Sequence, residues 1–374
     1  MSRATVVAQG ASHWAALMLA LSLAIWFTET PVQAQASPGF EHTPYGVRAQ
    51  EGGETLEITA LREDAVRVRM WQGTAEPEDA SWAILPEALH RRAKVIAEAA
   101  GFSTGKLHVA IGPYLALTVT DSAGQVLQED AEPVLRHGAS FRLYKRRTTD
   151  DHFFGLGDKP GPLDRSGEAF VLWNTDHFGW QESTDPIYKS IAFFLTMRQG
   201  RTLGVFFNNT YRSFFDFGRE NEHEYSFGAV DGACDYMLLY GPAPRQVLED
   251  YAWLTGPTPL PPLWSLGFQQ LRYTYSPESE LTDVEHRLRA DRIPADVLWL
   301  DIDFQKDNMP FTVDPQRFPN FPQLVNNLKA DHFHLVVITD LHIAQKPGIG
   351  YAPYDSGVAG DHSSGCRGAR PTSA

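Results

Sequence analysis

Apolar and polar positions alternate along most of the first 240 residues. TLEITAL (55–61) and AVRVRMW (65–71) place every second side chain on an apolar face, the period of a half-buried strand. KLHVAIG and LALTVTD repeat this over 106–121 around a Gly-Pro pair. IAFFLTM (191–197) and TLGVFFN (202–208) flank RQGR, which predicts a hairpin. Strands this numerous, almost free of helical period, predict an all-β sandwich over 37–241.

The pattern changes at 242. PAPRQVLEDYAWL (242–254) predicts a short helix with Val247, Leu248 and Tyr251 along one face, and GPTPLPPLW (256–264) is a proline-rich connector, so 242–258 reads as helix and linker. Strands and helices then alternate. WSLGFQQ (264–270) is strand-like, and 278–293 carries Leu281, Val284 and Leu288 at helical spacing until Pro294 stops it. ADVLWLDID (295–303) predicts a second strand, 321–331 a helix through Leu324, Val325 and Leu328, and HLVVITD (334–340) a third strand. VLWL and LVVI lack alternation, which suits parallel strands buried on both faces, so 259–358 predicts a βαβαβ series. GDHSSGCRGARPTSA (360–374) has no hydrophobic period. We read 359–374 as an unstructured, atypical tail, with an abrupt end or frame change inside a domain as the other reading.

Composition narrows the class. A chain of 374 residues, 43% hydrophobic, is long enough for two domains. Its net charge of −14, with no run of Lys or Arg, argues against a nucleic-acid partner, whose phosphates need a basic footprint. Residues 15–27 (AALMLALSLAIWF) follow Arg3 as an uncharged apolar run and precede TPVQAQA, with small residues at Ala34 and Ala36. That layout predicts a secretory signal over 1–36, and a secreted or periplasmic protein. The run is shorter than the ~20 residues that span a bilayer, so no stable membrane insertion is expected once the signal is removed. Cys234 and Cys366 alone give neither a disulfide framework nor a cysteine metal site. No metal and no cofactor are expected. The sequon Asn208-Asn209-Thr210 is a weak single match.

Five segments carry a resemblance. FFGLGDKPGPLDRSG (153–167) and WNTDHFGWQESTDPIYKSIAFF (173–194) closely resemble the N-terminal β-sandwich of glycoside hydrolase family 31, the α-glucosidase and α-xylosidase family. PLPPLWSLGFQQLRYTY (259–275) resembles the start of that family's barrel, and WLDIDF (299–304) and VVITDLHI (336–343) its second and third strand ends. The matches run in order over about 40–358. The resemblance implies a galactose-mutarotase-like sandwich followed by an incomplete (β/α)8 barrel of about three strands. It also implies retaining cleavage of terminal α-linked glucose from an oligosaccharide or glycoside.

The residues agree with that expectation on their own terms. Barrel active sites form at the C-terminal ends of strands. On a continuing strand Asp301 and Asp303 would share a face, with Ile302 opposite. Carboxylates at such a rim accept strong, charge-assisted hydrogen bonds from sugar hydroxyls. The resemblance implicates Asp301, Ile302, Ile338 and Asp176 of WNTD in the glucose pocket. Asp340 and His342 fall at the third strand end, where packing behind the sugar competes with direct contact. The alternatives are a turn-capping Asp176 and an ion-paired Asp301. Trp173 and Trp180 fit a pocket mouth or the core. Asp158, Lys159 and Asp164 in GDKPGPLD read as turn and ion-pair residues.

Asp301 and Asp303 do not make a catalytic dyad. Such carboxyls must flank the scissile bond, about 5–5.5 Å apart for retention and 6.5–9.5 Å for inversion, whereas strand neighbours approach from one side. In the family the nucleophile and acid/base lie at the fourth and sixth strand ends. From 259 onward the sequence has only 116 positions, against roughly 250 residues for a whole barrel. No catalytic residue is therefore expected in this chain, which is expected to be truncated and inactive by itself. A non-catalytic carbohydrate-binding protein, or an α-xylosidase of the same family, is the alternative.

Overall fold

The computed structural model describes residues 39–340 and 342–362. The signal expected over 1–36, and the tail from 363 on with Cys366, lie outside the described residues. No described helix is long and apolar enough to cross a membrane. The chain divides into two compact units between Pro257 and Thr258.

The first unit is a β-sandwich. Its larger sheet has eight strands in the order Gly39–Thr43, Gly46–Glu51, Glu54–Arg62, Ala65–Gln72, Cys234–Gly241, Arg201–Phe207, Phe193–Arg198 and His152–Gly155. Two five-stranded sheets share a core with it. One contains Ser140–Arg146, Glu224–Ala229 and Ala169–Leu172; the other contains Leu107–Ile111 and Leu117–Asp121. Buried aromatics fill the layer between them. Phe207 of the large sheet meets Phe227 edge-on at 5.5 Å, and Phe153 stacks on Phe217 at 4.6 Å. The predicted hairpin is present. Arg198 pairs with Arg201, and Gln199 (φ 47°) and Gly200 (φ 77°) both take the left-handed conformation that a tight two-residue turn requires.

One strand departs from the half-buried reading. Ala65–Gln72 is buried at every position except the last. Arg67 is not on a wet face: it holds Asp235 through two bonds of 2.9 and 2.8 Å, and Asp79 at 2.6 Å. Arg69 pairs with Glu76 at 2.6 Å. The helix Pro244–Thr255 covers the outer face of the large sheet, with Val247, Asp250 and Leu254 buried and Leu248 exposed. Its packed stripe is Val247, Asp250, Tyr251 and Leu254, the i, i+3, i+4, i+7 set, and not the stripe through Leu248. Gly204 makes this docking close. A Cβ there would lie 2.5 Å from Cγ1 of Val247.

The second unit has three parallel strands, Gln269–Gln270, Val297–Leu300 and His334–Val337, alternating with helices Glu278–Ala290 and Phe321–Ala330. Leu281, Leu298, Leu300, Phe318, Leu324 and Leu328 form its core. The strand expected over 264–270 shrinks to two residues. Leu263–Leu266 is a 3-10 turn instead, and Trp264 stacks on His334 at 4.1 Å. The third strand ends at Val337 and is only partly buried, so LVVI is not covered on both faces here. It is an edge strand among the described residues. Val325 also faces outward. A short helix, Ala352–Ala359, lies where no helix is predicted.

Candidate functional site

The strand Val297–Leu300 is almost wholly buried and stops at Leu300. Asp301 is extended (φ −80°, ψ 178°), and its Oδ1 accepts the Ile302 N–H at 2.7 Å, capping a 3-10 turn over Ile302–Phe304. Around such a turn successive side chains step by about 120°, so residues two apart diverge. Asp301 and Asp303 therefore do not share a strand face, which corrects the alternation expected from VLWLDID. Phe304 turns into the core, while Asp301, Ile302 and Asp303 stay half-buried.

The neighbouring strand brings its own residues to the same end. Ile338 lies one residue past that strand, its N–H donates to the Leu300 carbonyl at 3.0 Å, and its side chain packs on the core. Asp340 is half-buried and His342 exposed. Asp301, Asp303 and Asp340 form no ion pair with a Lys or Arg among the described residues, so the structural pairing weighed for Asp301 is not made. Below this rim, Trp299 Nε1 donates to Gln269 Oε1 at 2.9 Å, tying the second strand to the first.

In the first unit, Asp176 sits in the long connection between the strands Ala169–Leu172 and Phe193–Arg198. The base of that loop is pinned by a buried ion pair. Lys159 pairs with Asp185 and donates to the Val171 carbonyl at 2.6 Å, while Asp185 accepts the Val171 N–H. Thr175 Oγ1 donates to Pro186 O at 2.9 Å, and Tyr188 Oη to His177 O at 3.0 Å. Asp176 is exposed and caps no turn among the described residues. It is held out on a braced loop.

GDKPGPLD behaves as turn and ion-pair chemistry. Arg165 gathers the carbonyls of Lys159, Pro160 and Pro162 at 2.6–2.9 Å. Burial pushes the Asp164 carboxyl up, but hydrogen bonds from His152, Ser166 and backbone N–H groups override it and hold the carboxyl at about 2. Asp158 pairs with Lys189 at 2.9 Å. Trp173 and Trp180 are both about half exposed, so neither belongs to the core. Trp173 borders a cleft of the sandwich, together with Trp82 and Tyr211, which pattern reading passed over because they fall in loops between strands. No group of three or more His, Cys, Asp or Glu among the described residues is placed to hold a metal ion.

An antiparallel sandwich followed by parallel β/α units, with unpaired carboxylates at the strand ends, is the architecture of a barrel glycoside hydrolase. Residues 55–216 match the glycosyl hydrolase 31 N-terminal galactose mutarotase-like domain, and residues 258–367 the glycosyl hydrolases family 31 TIM-barrel domain. The chain belongs to glycoside hydrolase family 31. It is 34% identical over 330 residues to alpha-glucosidase 2 of Bacillus thermoamyloliquefaciens, covering 86% of this chain and 41% of that relative. Neutral alpha-glucosidase C of Mus musculus is 33% identical over 204 residues, 49% of this chain and 23% of that one. A family 31 dextranase of Flavobacterium johnsoniae, solved with isomaltotriose, superposes with a TM-score of 0.80 at 26% identity, over 88% of this chain and 41% of the dextranase. This chain thus spans about two fifths of the length of the first and third of these.

Proposed function

We propose that this chain supplies sugar-holding residues of an α-glucosidase-type, retaining glycoside hydrolase that acts on the terminal α-linked glucose of an oligosaccharide. The observation that carries the reading is Asp301: a half-buried carboxylate at the C-terminal end of a parallel strand, accepting the Ile302 N–H and paired with no cation among the described residues. Such a group accepts sugar hydroxyls. Ile302 and Ile338 give the apolar wall beside it. Asp176, on the braced loop of the sandwich, is a further candidate acceptor of sugar hydroxyls. Asp340 and His342 stand at the margin. The alpha-glucosidases among the relatives, and the isomaltotriose bound to the dextranase, support a glucose-containing substrate.

Retention needs a nucleophile and an acid/base on opposite sides of the glycosidic bond. Asp301 and Asp303 stand on one peptide turn, so they receive no catalytic role, and we place the dyad outside the described residues. The apolar run at 15–27 supports export of the protein. The test is glucose binding by the purified chain, with Asp301→Asn as the variant. Asn keeps the cap on Ile302 but loses the charge. A lost charge-assisted bond is worth about 1.5–3 kcal/mol, so affinity is expected to fall roughly 10- to 100-fold with the melting temperature unchanged. Unaltered affinity would refute the pocket. Hydrolysis of 4-nitrophenyl α-glucoside by this chain at a rate typical of intact glycosidases would refute the placement of the dyad.

A further inference from the structure

We infer, on the reading of Asp301 as an acceptor of sugar hydroxyls, that Gln269 is a positioning residue: it acts through Trp299 to fix the strand tip from which Asp301 projects. Leu298 and Leu300 face the core of the second unit, so Trp299 lies on the opposite face of the sheet. Asp301, still extended, follows it on that face about 7 Å further on. The first strand gives out just below this level. Its last ladder pair is Gln270 with Leu298. From Trp299 upward the second strand is paired on its other side alone among the described residues, Trp299 with Val336 and Leu300 with Val337. The indole supplies the missing tie, Nε1 donating to Gln269 Oε1 at 2.9 Å.

A glutamine suits this place for a reason of valence. Gln269 pairs with Val297, two residues before Trp299, and so stands on the same face. Its Nε2 donates to the Ser265 carbonyl at 2.7 Å. An indole N–H can only donate and a carbonyl can only accept, so one orientation of the amide makes both bonds and its flip makes neither. The turn that offers the carbonyl is itself held. Ser265 Oγ donates to Pro262 O at 2.8 Å, and Trp264 stacks on His334 with ring centroids 4.1 Å apart and planes 16° from parallel. His334 opens the third strand. At Gly267, between the turn and Gln269, a Cβ would lie 1.7 Å from Oδ2 of Asp296, so the chain is pressed against the foot of the second strand as well. The relay thus runs from the foot of the third strand, through the first, to the upper end of the second.

The fold does not depend on this relay in the way the site does. The apolar core of the unit lies on the other face, around Leu298 and Leu300, and none of the relay's hydrogen bonds enters it. A carboxylate that binds hydroxyls, by contrast, has to be held within about 0.5 Å of its productive place by the residues around it. Hydrogen bonds weaken steeply as their angle opens, so a tip free to tilt costs affinity before it costs stability.

The experiment titrates the full chain with glucose by calorimetry, in wild type, Gln269→Met, Gln269→Glu, Trp299→Phe and the double variant Gln269→Met/Trp299→Phe, with melting temperatures alongside. Gln269→Met is expected to bind threefold to tenfold more weakly. Gln269→Glu keeps an acceptor for the indole and should lie nearer to wild type. Trp299→Phe keeps a ring and loses the N–H, so it breaks the same tie, and the double variant should bind no more weakly than the weaker single one. Should Gln269→Met melt well below wild type, Trp299→Phe, which keeps the ring's packing, carries the test in its place. Wild-type affinity in both single variants overturns the relay, as do losses that multiply in the double variant. A Gln269→Glu chain as weak as Gln269→Met assigns the loss to the turn and not to the indole, and also overturns it. Binding that Asp301→Asn weakens but Gln269→Met and Trp299→Phe leave unchanged overturns the relay alone, and the proposed function stands. Binding indifferent to Asp301→Asn overturns both.

Discussion

Asp185→Ala removes the acid that compensates a fully buried ammonium. The Lys159 side chain is 0% exposed and that of Asp185 20%, and the pair stands at the base of the loop that carries Asp176. Burial already pulls the Lys159 ammonium below its ordinary pKa, and Asp185 opposes that pull. Without Asp185, Lys159 keeps the Val171 carbonyl but loses its charge partner, and the Val171 N–H loses its acceptor. Removing one member of a buried pair costs about 3–5 kcal/mol. The partial exposure of Asp185, and the option for Lys159 to shed its proton, put the expected loss near the lower end, about 3 kcal/mol. For a domain of this size each kcal/mol shifts the melting temperature by about 2–4 °C, so a fall of roughly 6–12 °C is expected. Differential scanning calorimetry measures it. The double variant Lys159→Met/Asp185→Ala should recover much of the loss, because it leaves no uncompensated buried charge. A single variant melting within about 2 °C of wild type would refute the reasoning.

Three further outcomes are expected. Burial, and next the neighbouring Asp64, push the Asp250 carboxyl up to about 6 against the pull of Arg62. A carboxyl raised on folding stabilises the native state below its unfolded pKa and loses that contribution as pH rises through its folded one. Wild-type melting should therefore fall relative to Asp250→Asn between about pH 4 and 7, and parallel curves would count against it. Gly204→Ala drives a methyl into Val247 and should cost about 1–3 kcal/mol in urea titration, with an unshifted midpoint as the contrary result. Asn208 spends its amide nitrogen on Asp235, so the sequon should stay unmodified in a glycosylating host, and a glycan mass on that peptide would contradict this.

Much of the architecture is legible in the chain because burial has a period. The strands of the sandwich, the switch to β/α alternation and the helices at 278–290 and 321–330 all follow it. What the pattern misses depends on partners remote in sequence. Arg67 looks like part of a solvent face until Asp235 arrives from a strand 168 residues away. Leu248 and Val325 satisfy helical spacing but point outward, because the docking face is set by what each helix lies against. At the site, identity outran geometry. WLDIDF marks a strand end, yet the chain leaves extended conformation at Asp301 because that carboxylate caps the next turn, a local hydrogen bond that periodicity does not encode. Trp82 and Tyr211 carried no signal, since loop residues meet only when the sheets assemble.

The central place of the strand Ala65–Gln72 has a consequence for biosynthesis. Its ladder partner, Cys234–Gly241, leaves the ribosome some 168 residues later, the separation of Arg67 from Asp235. At about 5–20 residues per second the earlier strand waits on the order of 10–30 s with one edge open and Arg67 without its Asp235 partner. Nascent chains should recruit holding chaperones throughout that interval and release them as residue 241 clears the exit tunnel.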